Sequence, residues 1–125
     1  MKRYLIAAIA ALSLTACSSS PDGLVRGFYG HLADGNTAKA AELIAPQIKA
    51  VWGGKIDAAL LDMSTKIAQC DGIKKLEIEQ DEKHSTDNLR IFKVTMTMKS
   101  ENPKCAARHD TIKTIKNDGE WRIRL

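Results

Sequence analysis

The chain has 125 residues, of which 19 are Lys or Arg and 15 are Asp or Glu, so its formal net charge is +4. This length is sufficient for one domain and no more. The basic residues are interleaved with acidic ones and form no continuous stripe, so we expect no nucleic-acid partner.

The first 17 residues have the three-part layout of a secretory signal peptide. Lys2 and Arg3 supply positive charge, an almost wholly apolar run follows over residues 5–14, and small residues then lead to Cys17. This run is too short to span a bilayer, which needs roughly 20 apolar residues. The sequence LTAC, which ends at Cys17, resembles the lipobox of bacterial lipoproteins.

The lipobox resemblance implies that residues 1–16 are a cleaved lipoprotein signal peptide and that Cys17 carries lipid. Residues 17–22 then form the lipidated cysteine and a polar tether, and membrane lipid is the first expected partner. The alternative is a chance cysteine after an ordinary signal peptide. Loss of Lys2 and Arg3 leaves 17 basic residues against 15 acidic ones, so the net charge falls from +4 to about +2.

The lipoprotein class places the chain in the cell envelope. Ser18 follows the cysteine, which resembles the signal for delivery to the outer membrane of Gram-negative bacteria. We therefore expect an outer-membrane protein that faces the periplasm, or one on the exterior of the cell membrane if the source is Gram-positive.

The two other cysteines form an even pair if Cys17 carries lipid. Cys70 and Cys105 would then lie in an oxidising compartment, where disulfides persist. A disulfide between them would close a loop of about 35 residues and stabilise the fold by about 3–4 kcal/mol. The alternative is two free buried thiols, since free Cys often acts as a small core residue.

The first half of the mature chain has the spacing of three helices. Apolar residues Leu24 to Leu32 recur at helical intervals, and a short Ala-rich helix over Ala38–Ala45 is followed by a turn that begins at Pro46. The third helix has a single apolar stripe. Its members are Ile56, Leu60, Met63, Ile67 and Cys70.

The second half changes to the period of two that is typical of strands. Four strands are predicted, around Leu76–Ile78, over Leu89–Lys99, over Cys105–Lys116 and over Trp121–Leu125. A change of parity near Ile91 in the second strand predicts a bulge there. Helices followed by an antiparallel meander indicate a single α+β domain over residues 23–125, with three N-terminal helices packed on a bent four-stranded antiparallel sheet.

The order of these elements, with the phrase VRGFYGHLADGNTAKAAELIAP, is similar to the nuclear transport factor 2-like cone fold, also called SnoaL-like or cystatin-like. The resemblance extends over residues 24–125. Together with the lipobox, it makes the chain most similar to small bacterial lipoproteins of a domain family of unknown function. The fold hosts both enzymes and binding modules, so it does not decide activity.

Isomerases and dehydratases with this fold place Tyr, Asp and His inside the cone, so the resemblance nominates Tyr29, Asp57, Asp62, His109 and Asp110. His109 and Asp110 are adjacent on a strand and face opposite sides, which excludes a cooperating pair. Asp57 and Asp62 lie off the apolar stripe of their helix. No acid/base pair remains, and we expect no catalytic residue.

Metal-binding patterns are also absent from the sequence. His31, His84 and His109 are scattered, and no two plausible ligands stand at zinc spacing. The sequence has no glycine-rich phosphate loop. We therefore expect no metal and no other cofactor.

Two features favour binding. One is a set of side chains that could line the mouth of the cone for a small hydrophobic ligand: Tyr29, Trp52, Met63, Phe92, Val94, Met96 and Met98. The alternative is that the strand residues among them are simply core. The other is a set of strand cations that could face anionic lipid or glycan, or could only protect the sheet edges: Lys74, Lys75, Arg122 and Arg124.

The sequence therefore predicts a membrane-anchored lipoprotein that acts as a non-catalytic binding or cell-envelope accessory module, with a small hydrophobic ligand or an envelope protein as partner. The alternative is an isomerase- or dehydratase-like enzyme of the cone fold that acts on a small hydrophobic substrate.

Overall fold

The structure is a computed structural model that describes residues 20–125, and the predictions for the signal peptide and Cys17 lie outside these residues. Helices come first and a four-stranded antiparallel sheet follows. The helices are α1 (Pro21–Ala33), α2 (Thr37–Glu42), α3 (Pro46–Trp52) and α4 (Gly54–Gln69). The strands are β1 (Ile73–Gln80), β2 (Leu89–Met98), β3 (Arg108–Asn117) and β4 (Glu120–Arg124), in the spatial order β1-β2-β3-β4. The α+β class predicted from the sequence is confirmed.

Helix α1 begins inside the stretch that was predicted to be a flexible tether. The Ser20 hydroxyl accepts a hydrogen bond from the Gly23 amide at 3.1 Å, and Pro21 occupies the first helical position. A hydroxyl cap satisfies an amide that has no partner within the helix, and proline is already set to the helical φ. These two local effects start the helix earlier than its apolar spacing indicates.

The turn predicted between the second and third helices is itself a short helix, α3. Pro46 opens it at the first position, as proline can, and none of its residues is buried. Gly53 separates α3 from α4 with a φ of 55°, a left-handed conformation that glycine adopts without strain. Of the helices in residues 20–125, none is long and apolar enough to cross a membrane.

The bulge predicted near Ile91 is wrong, because β2 pairs regularly on both sides there. Ile91 lies opposite Lys113 and the next residue, Phe92, lies opposite Ile112. The irregular register is on β1, between Ile73 and Lys75. The change of parity in the sequence arises because β2 has apolar residues on both faces of the sheet, with Leu89 opposite Ile115 on the outer face.

The core lies between the helices and the inward face of the sheet. From β2 it takes Phe92, Val94, Met96 and Met98, which are at most 5% exposed. From the helices it takes Val25, Phe28, Tyr29, Leu32, Ile56, Leu60 and Ile67. The Ser64 hydroxyl on α4 donates to the Leu32 carbonyl of α1 at 2.8 Å, so a buried hydrogen bond also joins the two long helices.

Candidate functional site

A disulfide joins Cys70 to Cys105, with a Cα–Cα distance of 5.6 Å, and the predicted pairing is confirmed. Cys70 caps the C-terminus of α4, and Cys105 ends a 3-10 helix (Pro103–Cys105) in the connection between β2 and β3. The Ser100 amide donates to the Cys70 carbonyl at 3.0 Å. The end of α4 is therefore fixed to the β2–β3 connection by a covalent bond and a backbone hydrogen bond.

Three residues at the start of β3 face the helices. Arg108, Asp110 and Ile112 lie opposite Met96, Val94 and Phe92, which are buried on the inward face of β2. Because side chains alternate along a strand, His109 points to the outer face, where its ring contacts the Thr95 hydroxyl at 3.2 Å. The expected separation of His109 from Asp110 is confirmed.

Asp110 instead shares a depression with Tyr29, which we call the tyrosine depression. It has a volume of about 200 Å³ and lies between α1, α4, β3 and the C-terminus. Its lining residues are Phe28, Tyr29, Met63, Asp110, Thr111, Ile112 and Leu125. From the sequence, Asp110 is predicted only to face away from its neighbour His109. Ile112 is apolar and lies two residues further along the same strand, so it shares a face with Asp110 and could have indicated that Asp110 faces the helices.

The Tyr29 hydroxyl is held in its protonated form. Burial raises its pKa above the ordinary value, and the neighbouring Asp110 carboxylate raises the pKa further through its charge and a hydrogen bond. The Arg108 guanidinium lowers the pKa by a smaller amount. Tyr29 is only 2% exposed, so little of its side chain is open to a molecule in solvent.

A second depression, which we call the disulfide depression, lies at the end of α4 and has a volume of about 340 Å³. Its lining residues are Lys66, Gln69, Cys70, Met98, Asn102, Lys104, Cys105, Ala106 and Arg108. Three of these are cations, and none is acidic. Lys66 is distant in sequence from Lys104 and Arg108, so no local motif revealed the cluster, although the predicted disulfide implied that the segments meet.

The four strand cations that were predicted to face anionic lipid or glycan do not form one face. Lys74 and Lys75 are on β1, whereas Arg122 and Arg124 are on β4, and these strands are the two edges of the sheet. Three strand spacings of about 4.8 Å separate the pairs. The protein thus has cations at two separate edges and a different cluster at the disulfide.

The predicted pocket-lining residues have three different environments. Tyr29 and Met63 line the tyrosine depression, and Met98 lines the disulfide depression. Phe92, Val94 and Met96 are core residues, which is the alternative that the sequence left open.

Trp52 lines neither depression. It is 51% exposed at the end of α3, because that helix packs no buried residue.

The remaining candidates lie at the surface or apart from one another. Asp57 and Asp62 are exposed on α4, and Asp62 pairs with Lys66 at 3.0 Å. His84 is exposed and contacts Asp81 at 2.9 Å. Among residues 20–125, no three His, Cys, Asp or Glu side chains lie close enough together to hold a metal ion.

Comparison with known proteins identifies the fold. No protein-family description matches the sequence, and no curated protein matches it. Among solved structures, the chain is similar to a protein from Campylobacter jejuni described as an NTF2-like transpeptidase, with a TM-score of 0.67. The alignment covers 86% of this chain and 99% of that chain, at 18% sequence identity.

The chain has the NTF2-like cone fold. At this identity the likeness concerns the fold alone, and the activity in the neighbour's name stays with the neighbour. Within the NTF2-like fold of this chain, the two depressions lie at the margins of the core, and Arg108 of one and Asp110 of the other are two residues apart on β3.

Proposed function

We propose that the chain is a membrane-anchored lipoprotein of the cell envelope that acts as a non-catalytic binding module. The observation that carries this proposal is that side chains of the fold itself fill the inward face of the sheet. The two depressions described above lie at the margins of this core, and the larger, at about 340 Å³, is in the range of small-ligand sites. Such an arrangement favours reversible binding at the surface over enclosure of a substrate.

The short distance between Cys17 and the first helix supports the anchoring part of the proposal. Only Ser18, Ser19 and Ser20 separate Cys17 from Pro21, where α1 begins. A chain segment of this length spans at most about 14 Å when fully extended. Lipid on Cys17 would therefore hold the domain next to the bilayer. The Cys70–Cys105 disulfide fits the oxidising space outside the cytoplasm.

Expression of the full chain in bacteria tests the anchor. The mature product is expected to begin at Cys17, to carry the added mass of lipid and to sediment with the membrane fraction. Cys17→Ser removes the sulfur that receives the lipid and is expected to leave the membrane pellet. Ser18→Ala is the matched control, because it changes the neighbouring residue and keeps the cysteine. A soluble cytoplasmic product that retains residues 1–16 would overturn the proposal.

One observation favours a second candidate, an isomerase- or dehydratase-like enzyme. Tyr29 and Asp110 share a depression, as a hydrogen-bond donor and a carboxylate would in such an enzyme. Two features weigh against it. The Tyr29 side chain is only 2% exposed, and the depression of about 200 Å³ is smaller than most ligand pockets, which begin at about 300 Å³. We therefore keep it as the alternative.

We do not extend the transpeptidase name of the structural neighbour to this chain. Such a reaction requires a nucleophile with a base in hydrogen-bond reach. In the described part of the chain both cysteines are consumed by the disulfide. The hydroxyls of Ser64 and Ser85 donate to the backbone carbonyls of Leu32 and Asp81. The Thr95 hydroxyl does contact the His109 ring at 3.2 Å, but this pair is exposed on the outer face of the sheet and lines neither depression.

Mass spectrometry of molecules that co-purify with the lipidated chain separates the two candidates. A binding module is expected to return a recovered ligand unchanged after long incubation. An enzyme would convert the ligand, and Asp110→Asn would abolish the conversion. Conversion by the unaltered chain that Asp110→Asn stops would therefore replace our proposal with the enzyme.

A further inference from the structure

The disulfide depression has positively charged side chains on two walls that are far apart in sequence. Lys66 and Gln69 come from the last turns of α4, and Lys104 and Arg108 come from the β2–β3 connection and the start of β3. No Asp or Glu is among the residues that line it. Charge of one sign in a concave site concentrates ions of the opposite sign.

These cations have little compensation from the protein. In residues 20–125, neither Lys104 nor Arg108 has a carboxylate oxygen within 4.0 Å. Lys66 pairs with Asp62 at 3.0 Å, but both side chains are more than half exposed, so water weakens the pair. Arg108 is half-buried, and a guanidinium in that position offers a two-pronged donor to a carboxylate or phosphate.

Neutral donors add to the cations. The Asn102 side-chain oxygen accepts a hydrogen bond from the Lys104 amide at 2.9 Å, so the Asn102 side chain is held by its oxygen and its NH₂ group remains a donor. Met98 and the disulfide supply apolar surface beside these groups. A less polar surrounding strengthens the attraction between a bound anion and the cations.

The Cys70–Cys105 disulfide connects the two walls directly. Cys70 follows Gln69 of the first wall, and Cys105 follows Lys104 of the second. The link fixes the spacing of the donors before a ligand arrives, which lowers the entropy that binding must lose. The disulfide therefore has a place in the site as well as in the stability of the domain.

We propose that the disulfide depression binds a small soluble anion with a phosphate or carboxylate group, and that the Cys70–Cys105 disulfide holds its two walls in place. This assignment names a ligand class for the binding module proposed above and rests on that proposal. Arg108 is the main anchor, because it is the least exposed of the three cations, and Lys66 and Lys104 add charge from opposite walls.

Isothermal titration of the full lipidated chain in neutral detergent tests the assignment, with sodium pyrophosphate and sodium succinate in separate arms at low salt. We expect saturable binding of one anion per chain in at least one arm, and the stronger arm identifies phosphate or carboxylate chemistry. Arg108→Gln is expected to weaken this binding about 10-fold or more, since it removes a charge-assisted, two-pronged contact. Arg124→Gln is the matched control, because it removes the same charge from an exposed position on β4.

Reduction tests the part played by the disulfide. Dithiothreitol converts Cys70 and Cys105 to two thiols and is itself oxidised to a cyclic disulfide, while a thioether on Cys17 does not react. We expect several-fold weaker anion binding with the far-ultraviolet circular dichroism unchanged. If the reduced chain unfolds, the anion site is still tested by comparing Arg108→Gln with Arg124→Gln in the oxidised chain.

Three results would overturn the inference. Absence of saturable binding in both arms would remove the anion site, and an equal loss in Arg108→Gln and Arg124→Gln would reduce it to general surface charge. Unchanged affinity in a folded, reduced chain would remove the role of the disulfide. None of these results affects the membrane-fraction experiment, so a chain that is anchored at Cys17 but ignores both anions would refute only the ligand class.

Discussion

The two depressions are neighbours along β3, but they differ in whether their polar side chains have a partner within the protein. In the tyrosine depression, Tyr29 is almost fully buried and lies beside the Asp110 carboxylate, which raises the pKa of the phenol. In the disulfide depression, Lys104 and Arg108 have no carboxylate partner among the described residues. The boundary between them falls within three residues of β3, from Arg108 to Asp110.

The contrast follows from what burial demands of a polar group. A buried hydroxyl without a partner costs free energy, and Asp110 is the carboxylate that lies beside Tyr29. A partly exposed cation is hydrated and needs no partner within the protein. A polar group that the fold has paired is therefore used for stability, whereas unpaired cations gathered in a concave site remain available to a ligand. This difference is why we propose the anion site at the disulfide end rather than at Tyr29.

The largest expected effect tests whether the core really fills the inward face of the sheet. Phe92→Ala is expected to lower the free energy of unfolding by about 3–5 kcal/mol, because Phe92 is 2% exposed and its removal leaves a cavity. Trp52→Ala also removes an aromatic ring, but from a half-exposed site, and is expected to cost less than about 1 kcal/mol. Urea denaturation of both variants measures the difference.

Similar losses in the two variants would contradict this picture. If Phe92→Ala cost as little as Trp52→Ala, Phe92 would line an open cavity instead of the core, and the inward face would have room for an enclosed ligand. The protein would then have the internal cavity that the alternative enzyme requires.

A smaller effect tests the pairing of Tyr29 with Asp110. Tyr29→Phe is expected to lower the free energy of unfolding at neutral pH by about 1–2 kcal/mol, which is at the low end for a hydrogen bond to a charged group because Asp110 is half-buried and can be hydrated. The folded-state pKa of Tyr29 lies above the unfolded value of about 10. Its stabilisation is therefore complete below pH 10 and declines as the pH rises above that value.

Chemical denaturation between pH 8 and pH 11 measures this dependence. The free-energy difference between the unaltered chain and Tyr29→Phe is expected to shrink as the pH rises above 10, because only the unaltered chain has the Tyr29 phenol to lose its proton. The matched control is Phe28→Leu, which alters the ring in edge contact with Tyr29 but removes no hydroxyl. A difference that stays constant with pH would show that the phenol does not retain its proton more strongly in the folded state.

The sequence was sufficient for the fold class because its strongest signals are local. The stripe from Ile56 to Cys70 and the alternation from Phe92 to Met98 each predict an element and its buried face, and both are confirmed. The disulfide could be predicted by counting cysteines, given the proposed fate of Cys17. Errors arose where a local pattern had two readings, as at Ile91, where apolar residues on both faces look like a bulge.

The candidate sites could not be predicted in the same way. The Tyr29–Asp110 pair joins a helix to a strand 81 positions later in the chain, and its register depends on how β2 and β3 align. The cations of the disulfide depression meet only because α4 ends beside the β2–β3 connection. The order of charges along the sequence does not predict which side chains come together, because this depends on how the elements pack.

The smallest expected effect separates stability from binding at the disulfide end. Asp62→Asn breaks the pair with Lys66, in which both partners are more than half exposed, so we expect a loss of at most about 0.5 kcal/mol in the free energy of unfolding. The same change frees Lys66 for a ligand and is expected to strengthen anion binding about two-fold at low salt, with the gain lost as salt screens the charges.

Asp57→Asn is the control, because it removes the same charge from the first turn of α4, far from the depression. An equal gain in both variants, measured by the same titration, would show that net charge rather than Lys66 attracts the anion, and the distinction drawn here between the two depressions would fail.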